Sequence, residues 1–191
     1  VVWHPPGLPA ALLEPFEAHA DMLEFYSGLF GPYPFDRFGG LILNDPNLAA
    51  ALETQTLVTY GLPALGLGEA VVAHELVHQW FGNAVPVDEW RHIWLNEGLA
   101  TFGEWLWAEE AFGRAAYDQQ VLAAYRLMSG AALESGSVEA DRRFPPPADP
   151  APDDLFNPSV YLRGGLALVA LRDEIGDEAM WGLLAEWAAR Q

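Results

Sequence analysis

The chain has 191 residues, no cysteine and a formal net charge of −18 at pH 7. The absence of cysteine excludes disulfide bonds and thiolate metal ligands, and the negative charge argues against nucleic acid or an anionic membrane surface as a partner. A hydrophobic fraction of 51% supplies enough apolar side chains for a folded core. No stretch is long and apolar enough to predict insertion into a membrane.

The first half of the chain is predicted to combine helices with a small sheet. Apolar residues recur at helical spacing from about 10 to 30, where a Gly-Pro-Tyr-Pro sequence ends the pattern. Short strands are predicted over 38–43 and 53–60, and the second of them is placed at a sheet edge. A further helix, predicted over 66–81, has apolar residues around most of its circumference, which indicates a buried helix.

The second half of the chain is predicted to be helical. A proline-rich surface loop over 141–158 interrupts four helices, which are predicted over 93–110, 115–134, 161–175 and 178–190. Helices therefore dominate, and the sheet is confined to the region near the N terminus. The predicted fold class is α+β, mainly α, with a small N-terminal mixed sheet and a helical remainder.

The predicted buried helix carries the sequence His-Glu-Leu-Val-His at 74–78. Residues four apart share a helix face, so His74 and His78 can direct two imidazoles at one metal ion, and Glu75 lies close enough to handle a proton of water. Glu97 comes nineteen residues after His78, on a second apolar helix that can return it as a third ligand. Two His, one Glu and an open fourth position are typical of catalytic zinc sites, whereas structural sites have four protein ligands.

The alternative interpretation is a buried helix whose histidines are only hydrogen-bonded. It is disfavoured because two His and a Glu on an apolar helix are costly to bury unless they are paired or bind a metal. The ligand set predicts one Zn²⁺ per chain, although cobalt or manganese could substitute in vitro. We expect zinc to activate a water and polarise a carbonyl, with Glu75 as the general base and later the acid. Spacing alone does not identify the donor that stabilises the oxyanion.

Other polar residues have simpler interpretations. His4 and His19 lie in or near the first segment and are predicted at the surface, and a structural or surface role is expected for His92. Glu104 shares a predicted helix face with Glu97, where it could contact a ligating histidine or remain a solvated carboxylate.

The two metal-site segments resemble those of a known family. Val-Ala-His-Glu-Leu-Val-His-Gln-Trp-Phe-Gly-Asn at 72–83 and Trp-Leu-Asn-Glu-Gly-Leu-Ala at 94–100 are similar to the zinc-binding segments of the gluzincin aminopeptidases. This is the aminopeptidase N and leukotriene hydrolase family, and the resemblance extends over about 17–172. It implies a thermolysin-like metallopeptidase catalytic domain that removes N-terminal residues from peptides with a free N terminus.

The resemblance implies a substrate-binding role for Glu53. The family has a Gly-Ala-Met-Glu-Asn motif on an edge strand that binds the peptide backbone, and the Glu of that motif binds the free α-amino group. The matching stretch here is Ala-Ala-Leu-Glu-Thr at 50–54, in which Glu53 matches that Glu. Ala50 and Thr54 depart from the motif, and both departures bear on the backbone conformation and on contacts to the peptide.

The resemblance also implies a catalytic role for Tyr161. Family members use a tyrosine, in a Tyr-x-Lys-Gly-like context, to donate a hydrogen bond to the oxyanion. The sequence Val-Tyr-Leu-Arg-Gly-Gly at 160–165 matches this context, with Arg163 in the position of the lysine. Tyr161 is therefore the predicted oxyanion donor.

Family members carry a β-rich domain before this region and a helical domain after it. The resemblance therefore implies that 1–191 is a single catalytic domain, a fragment whose flanking domains are covalently linked to it in a larger protein. Two alternatives to an aminopeptidase remain. One is an endopeptidase or epoxide hydrolase that uses the same zinc site. The other is a metal-binding or scaffold domain with impaired catalysis, which the departures at Ala50 and Thr54 prompt.

Overall fold

The structure is a computed structural model that describes residues 1–45, 47–129 and 144–190. The end of the helix predicted over 115–134 and the start of the loop predicted over 141–158 lie outside the described residues. The chain divides into two compact units, the first formed by 1–85 and 181–191 and the second by 86–180. Among the described residues, no helix combines the length and apolarity that a bilayer crossing requires.

The first unit contains a four-stranded mixed sheet with the strand order β1-β2-β4-β3. β1 and β4 each run parallel to β2, whereas β3 runs antiparallel to β4. The strands are β1 (Val2–Trp3), β2 (Gly39–Leu43), β3 (Ala51–Leu52) and β4 (Leu57–Gly61).

The prediction of one edge strand over 53–60 is wrong in its detail. The short strand β3 occupies the edge, β4 lies inside the sheet, and a turn over 53–56 separates them. Thr56 has a φ of 64°, which lies in the left-handed region and is incompatible with a continuous strand. The alternation of side chains therefore predicts β4 correctly but hides the turn that precedes it.

Two helices pack together in the first unit. α1 (His19–Phe30) is shorter than predicted, because two 3-10 turns, the second of which contains Pro15, occupy the first part of the predicted range. α2 (Glu69–Val77) is also shorter than predicted, since the backbone after Val77 continues in turns. The ring centroids of Phe30 and Trp80 lie 6.0 Å apart, and both side chains are fully buried in this aromatic core.

The second unit is helical, as predicted. A π-helical turn over Ser159–Arg163 leads into α5, and α6 contributes its first residues to this unit and its remainder to the first. The α+β, mainly α fold class is therefore confirmed. The helices are α3 (Trp94–Phe112), α4 (Arg114–Met128), α5 (Gly164–Ile175) and α6 (Asp177–Ala188).

His19 is half-buried, whereas the sequence predicts it at the surface. Its ring packs edge-on against Phe16 and Phe38, with centroid distances of 5.2 and 5.0 Å. Its Nε2 atom is buried and has no hydrogen-bond partner within the described part of the chain. Burial lowers the pKa of His19 to about 4, and the positive amino terminus contributes a smaller decrease.

We expect His19 to make folding stability depend on pH. The folded state resists protonation of His19, so its contribution is complete above pH 6.5 and is lost as the pH falls toward 4. At pH 4 the loss is about 3 kcal/mol relative to neutral pH. Urea unfolding of the metal-free chain at pH 7.5 and pH 4 would measure it. The variant His19→Leu should lose correspondingly less stability than the unmutated chain, and equal losses would contradict the prediction.

Candidate active site and metal centre

Helix α2 and the residue that caps its C-terminal end place two histidines on one face. His74 and His78 lie one helical turn apart, and their ring centroids are separated by 4.8 Å with the ring planes at 75°. His74 is half-buried, whereas only 2% of His78 is exposed. The arrangement follows from the helix itself, because residues four apart point to the same side.

The ring of His78 is oriented by the backbone that follows α2. Its Nδ1 atom lies 3.1 Å from the carbonyl oxygen of Phe81. A carbonyl oxygen only accepts hydrogen bonds, so Nδ1 must donate and Nε2 keeps its lone pair. Histidines that bind metals commonly make such a contact, which fixes the tautomer and the ring orientation. The carbonyl that orients the ring of His78 thus belongs to Phe81, beyond the end of α2 at Val77.

Glu75 lies between the two histidines in sequence and is 5% exposed. Tyr60 on β4 is near it and is fully buried, and its hydroxyl makes no hydrogen bond among the residues that the structure describes. Burial raises the pKa of Tyr60 well above its ordinary value, and the charge of Glu75 raises it further. Tyr60 therefore remains neutral and adds no second negative charge beside Glu75.

Glu97 lies in the first turn of α3 and is 4% exposed. His74, His78 and Glu97 each offer one ligand atom, and these three atoms lie within 4.8 Å of one another. Two imidazole nitrogens and one carboxylate oxygen are the donor set of many catalytic zinc sites. The three predicted ligands therefore form a group that fits zinc, and their role as ligands stays a prediction.

Tyr161 lies in the π-helical turn Ser159–Arg163 and is half-buried. Short π-helical segments are frequent at functional sites. This turn runs directly into α5, so the helical backbone holds the position of Tyr161. The oxyanion-stabilising role of Tyr161 stays a prediction.

Helix α3 and the segment that carries Tyr161 meet backbone to backbone. A Cβ atom at Gly98 would lie 2.8 Å from Cα and from the carbonyl carbon of Gly164. A Cβ atom at Gly164 would lie 2.9 Å from Cα of Gly98. Only glycine fits at either position. Because Gly98 directly follows Glu97, this contact sets the distance between the backbone beside Glu97 and the segment of Tyr161.

Glu53 lies in the turn over 53–56 that follows the edge strand β3, and its side chain is half-buried. The Leu57 N–H donates to the carbonyl of Thr54 at 3.2 Å and closes the turn. Thr56, the last residue of the turn over 53–56, has the positive φ that a β-branched residue rarely adopts. The predicted amine-binding residue therefore stands in a strained turn, and its role stays a prediction.

Two amide side chains that the motifs did not single out contact this turn. Gln79 is fully buried and bonds the backbone of both Glu53 and Thr56, and Asn83 bonds the backbone of Glu53. The sequence does show Gln79 as a polar residue directly after His78, at the end of an apolar helix. Its partners lie 23 and 26 residues earlier, so the sequence pattern could not identify them.

Comparison with known proteins places these observations in a family. The model of the peptidase family M1 domain matches residues 14–189. Aminopeptidase M1 from Arabidopsis thaliana is 31% identical over 183 residues, which cover 88% of this chain and 20% of the relative. Aminopeptidase N from Oryctolagus cuniculus is 42% identical over 103 residues, which cover 47% of this chain and 11% of the relative. The chain thus spans a fifth or less of the length of these two relatives.

Solved structures share the fold. An M1 zinc metallopeptidase variant from Deinococcus radiodurans, bound to a Tyr-Ser-Ala substrate, has a TM-score of 0.81 and 34% identity. The match covers 97% of this chain and 39% of that one. Leukotriene A4 hydrolase from Saccharomyces cerevisiae has a TM-score of 0.81 at 20% identity, covers 99% of this chain and 31% of that one, and supports the fold alone. The resemblance that the two metal-site segments indicated is confirmed, and the chain belongs to the peptidase M1 family.

Proposed function

We propose that this chain is the catalytic domain of a zinc aminopeptidase that removes N-terminal residues from peptides. The observation that carries the proposal is the group formed by His74, His78 and Glu97, whose ligand atoms lie within 4.8 Å in a chain of the M1 family. These residues would hold one Zn²⁺ per chain. When bound, zinc polarises a carbonyl group and makes water more acidic.

The protein residues have separate roles in this proposal. Glu75 accepts a proton from the attacking water and delivers it to the leaving amine. Tyr161 donates a hydrogen bond to the oxyanion of the tetrahedral intermediate. Glu53 pairs with the free α-amino group of the peptide. This contact places the first peptide bond, next to the N-terminal residue, at the site of cleavage.

The relatives support a peptide with a free N terminus as the substrate. Two of them are named aminopeptidases, and the Deinococcus radiodurans protein was solved with Tyr-Ser-Ala bound. A related structure of a two-domain M1 zinc metallopeptidase contains L-tryptophan. The proposal includes covalently linked domains on either side of 1–191, as the family resemblance implies.

Release of chromogen from aminoacyl p-nitroanilides tests the proposal. We expect the zinc-loaded protein to cleave them, a chelator to stop the reaction, and added Zn²⁺ to restore it. N-acetylated versions of the same substrates should be cleaved at least about tenfold more slowly, since Glu53 then has no ammonium group to bind. Equal cleavage of free and acetylated substrates would favour an endopeptidase, and hydrolysis of a lipid epoxide alone would favour an epoxide hydrolase. Stoichiometric zinc with no turnover would indicate an impaired, metal-binding domain.

A further inference from the structure

The side chains of Gln79 and Asn83, which follow His78 in sequence, form hydrogen bonds with the backbone of the turn over 53–56. Gln79 Nε2 donates to the carbonyl oxygen of Glu53 at 3.2 Å, and Gln79 Oε1 accepts from the N–H of Thr56 at 2.9 Å. Asn83 Nδ2 donates to the same Glu53 carbonyl at 2.6 Å. One carbonyl therefore receives two amide donors, and one amide side chain binds both ends of the turn.

The contacts are suited to hold a conformation that the turn would not adopt by itself. A threonine at a φ of 64° costs on the order of 1–3 kcal/mol and persists only where the surroundings determine it. Gln79 is fully buried, so its hydrogen bonds are shielded from water. Its Nε2 also lies 3.4 Å from the carbonyl oxygen of Glu75, which links the turn to the backbone of α2.

We propose that Gln79 and Asn83 are positioning residues for recognition of the substrate amine. They hold the backbone of Glu53 at a fixed place relative to α2, which carries His74 and is capped by His78. Glu53 can then pair with the ammonium group at one defined distance from those histidines. The inference rests on the proposed function, because it assigns to Glu53 the recognition of a free α-amino group.

Near-isosteric substitutions separate this role from the fold. Gln79→Met and Asn83→Leu remove the hydrogen bonds and keep most of the volume of each side chain. Gln55→Met is the matched control, since Gln55 is an exposed glutamine in the same turn. Zinc content and thermal unfolding would show that each variant is folded and loaded. Asn83 is only half-buried, so Asn83→Leu is expected to fold. It tests the inference by itself if Gln79→Met does not fold.

The readout is the affinity of the zinc-loaded protein for L-tryptophan relative to N-acetyl-L-tryptophan, measured by titration calorimetry. We expect each substitution to lower the preference for the free amine about tenfold, and Gln55→Met to leave it unchanged. With an aminoacyl p-nitroanilide, KM should rise about tenfold while kcat changes less. A merely structural role would lower both affinities together and leave the preference intact.

Two outcomes would overturn the inference, and they can be distinguished. If the unmutated protein prefers the free amine and both folded variants keep that preference, the positioning role is wrong while the proposed function stands. If the unmutated protein binds both compounds equally, the proposed amine recognition fails and the positioning role fails with it.

Discussion

Replacement of Glu75 by glutamine is expected to lower kcat on aminoacyl p-nitroanilides by about 10³-fold, the middle of the range for loss of a general base. Glutamine has almost the same shape as glutamate but cannot take up the proton of the attacking water. Glu75 is not a member of the candidate ligand group, so the zinc content should remain at one ion per chain. Steady-state kinetics together with metal analysis of the purified variant would measure both effects.

Glu69→Gln is a suitable control for this experiment. It makes the same chemical change in the first turn of the same helix, outside the candidate ligand group, and it should alter kcat by less than about twofold. Retention of full activity by Glu75→Gln would exclude Glu75 as the base. Loss of zinc from that variant would show instead that Glu75 helps to hold the metal.

Gly98→Ala is expected to impair both folding and activity. The new methyl group would lie 2.8 Å from backbone atoms of Gly164, and backbone cannot rotate away as a side chain can. We expect a loss of about 3 kcal/mol in the free energy of unfolding, at the upper end of the cost of overpacking. The displaced backbone next to Glu97 should also lower kcat/KM by about 10²-fold, since small shifts of reacting groups are costly.

Gly28 provides the comparison for Gly98→Ala, because it has open space where a Cβ atom would be added. Gly28 lies in α1, and a Cβ atom there would meet nothing within 4 Å. Gly28→Ala should therefore leave activity unchanged and raise the free energy of unfolding by about 0.5–1 kcal/mol, because alanine favours the helix. Urea unfolding of both variants would test the pair, and equal effects at the two positions would contradict the packing argument.

The sequence could predict the parts of this molecule that depend on local pattern. The apolar periodicity of α2 and α3 and the fixed spacing of His74 and His78 are properties of short segments, so helices and candidate ligands follow from them. The turn after β3 does not follow, because Thr56 adopts a φ that its residue type disfavours and the alternating pattern favours a strand.

Features that depend on distant partners could not be predicted. The half-buried ring of His19 contacts Phe38, which lies beyond the end of α1. Gln79 reaches a turn more than twenty residues earlier in the chain. The need for glycine at position 98 is explained only by the backbone of Gly164, which lies too close for a Cβ atom. In each case the sequence shows the residue but not the neighbour that gives it a role.

Gly98 and Gly165 both take part in close contacts of α3, but they differ in whether a second mutation could remove the clash caused by an added methyl group. A methyl group at position 165 would meet the ring of Trp105 at 2.8 Å, so a smaller residue at position 105 could make room for it. A methyl group at position 98 would meet the backbone of Gly164, which has no side chain left to remove. A substitution of Gly165 can therefore be relieved by a smaller residue at position 105, whereas a substitution of Gly98 cannot be relieved by shrinking its partner, because Gly164 is already the smallest residue.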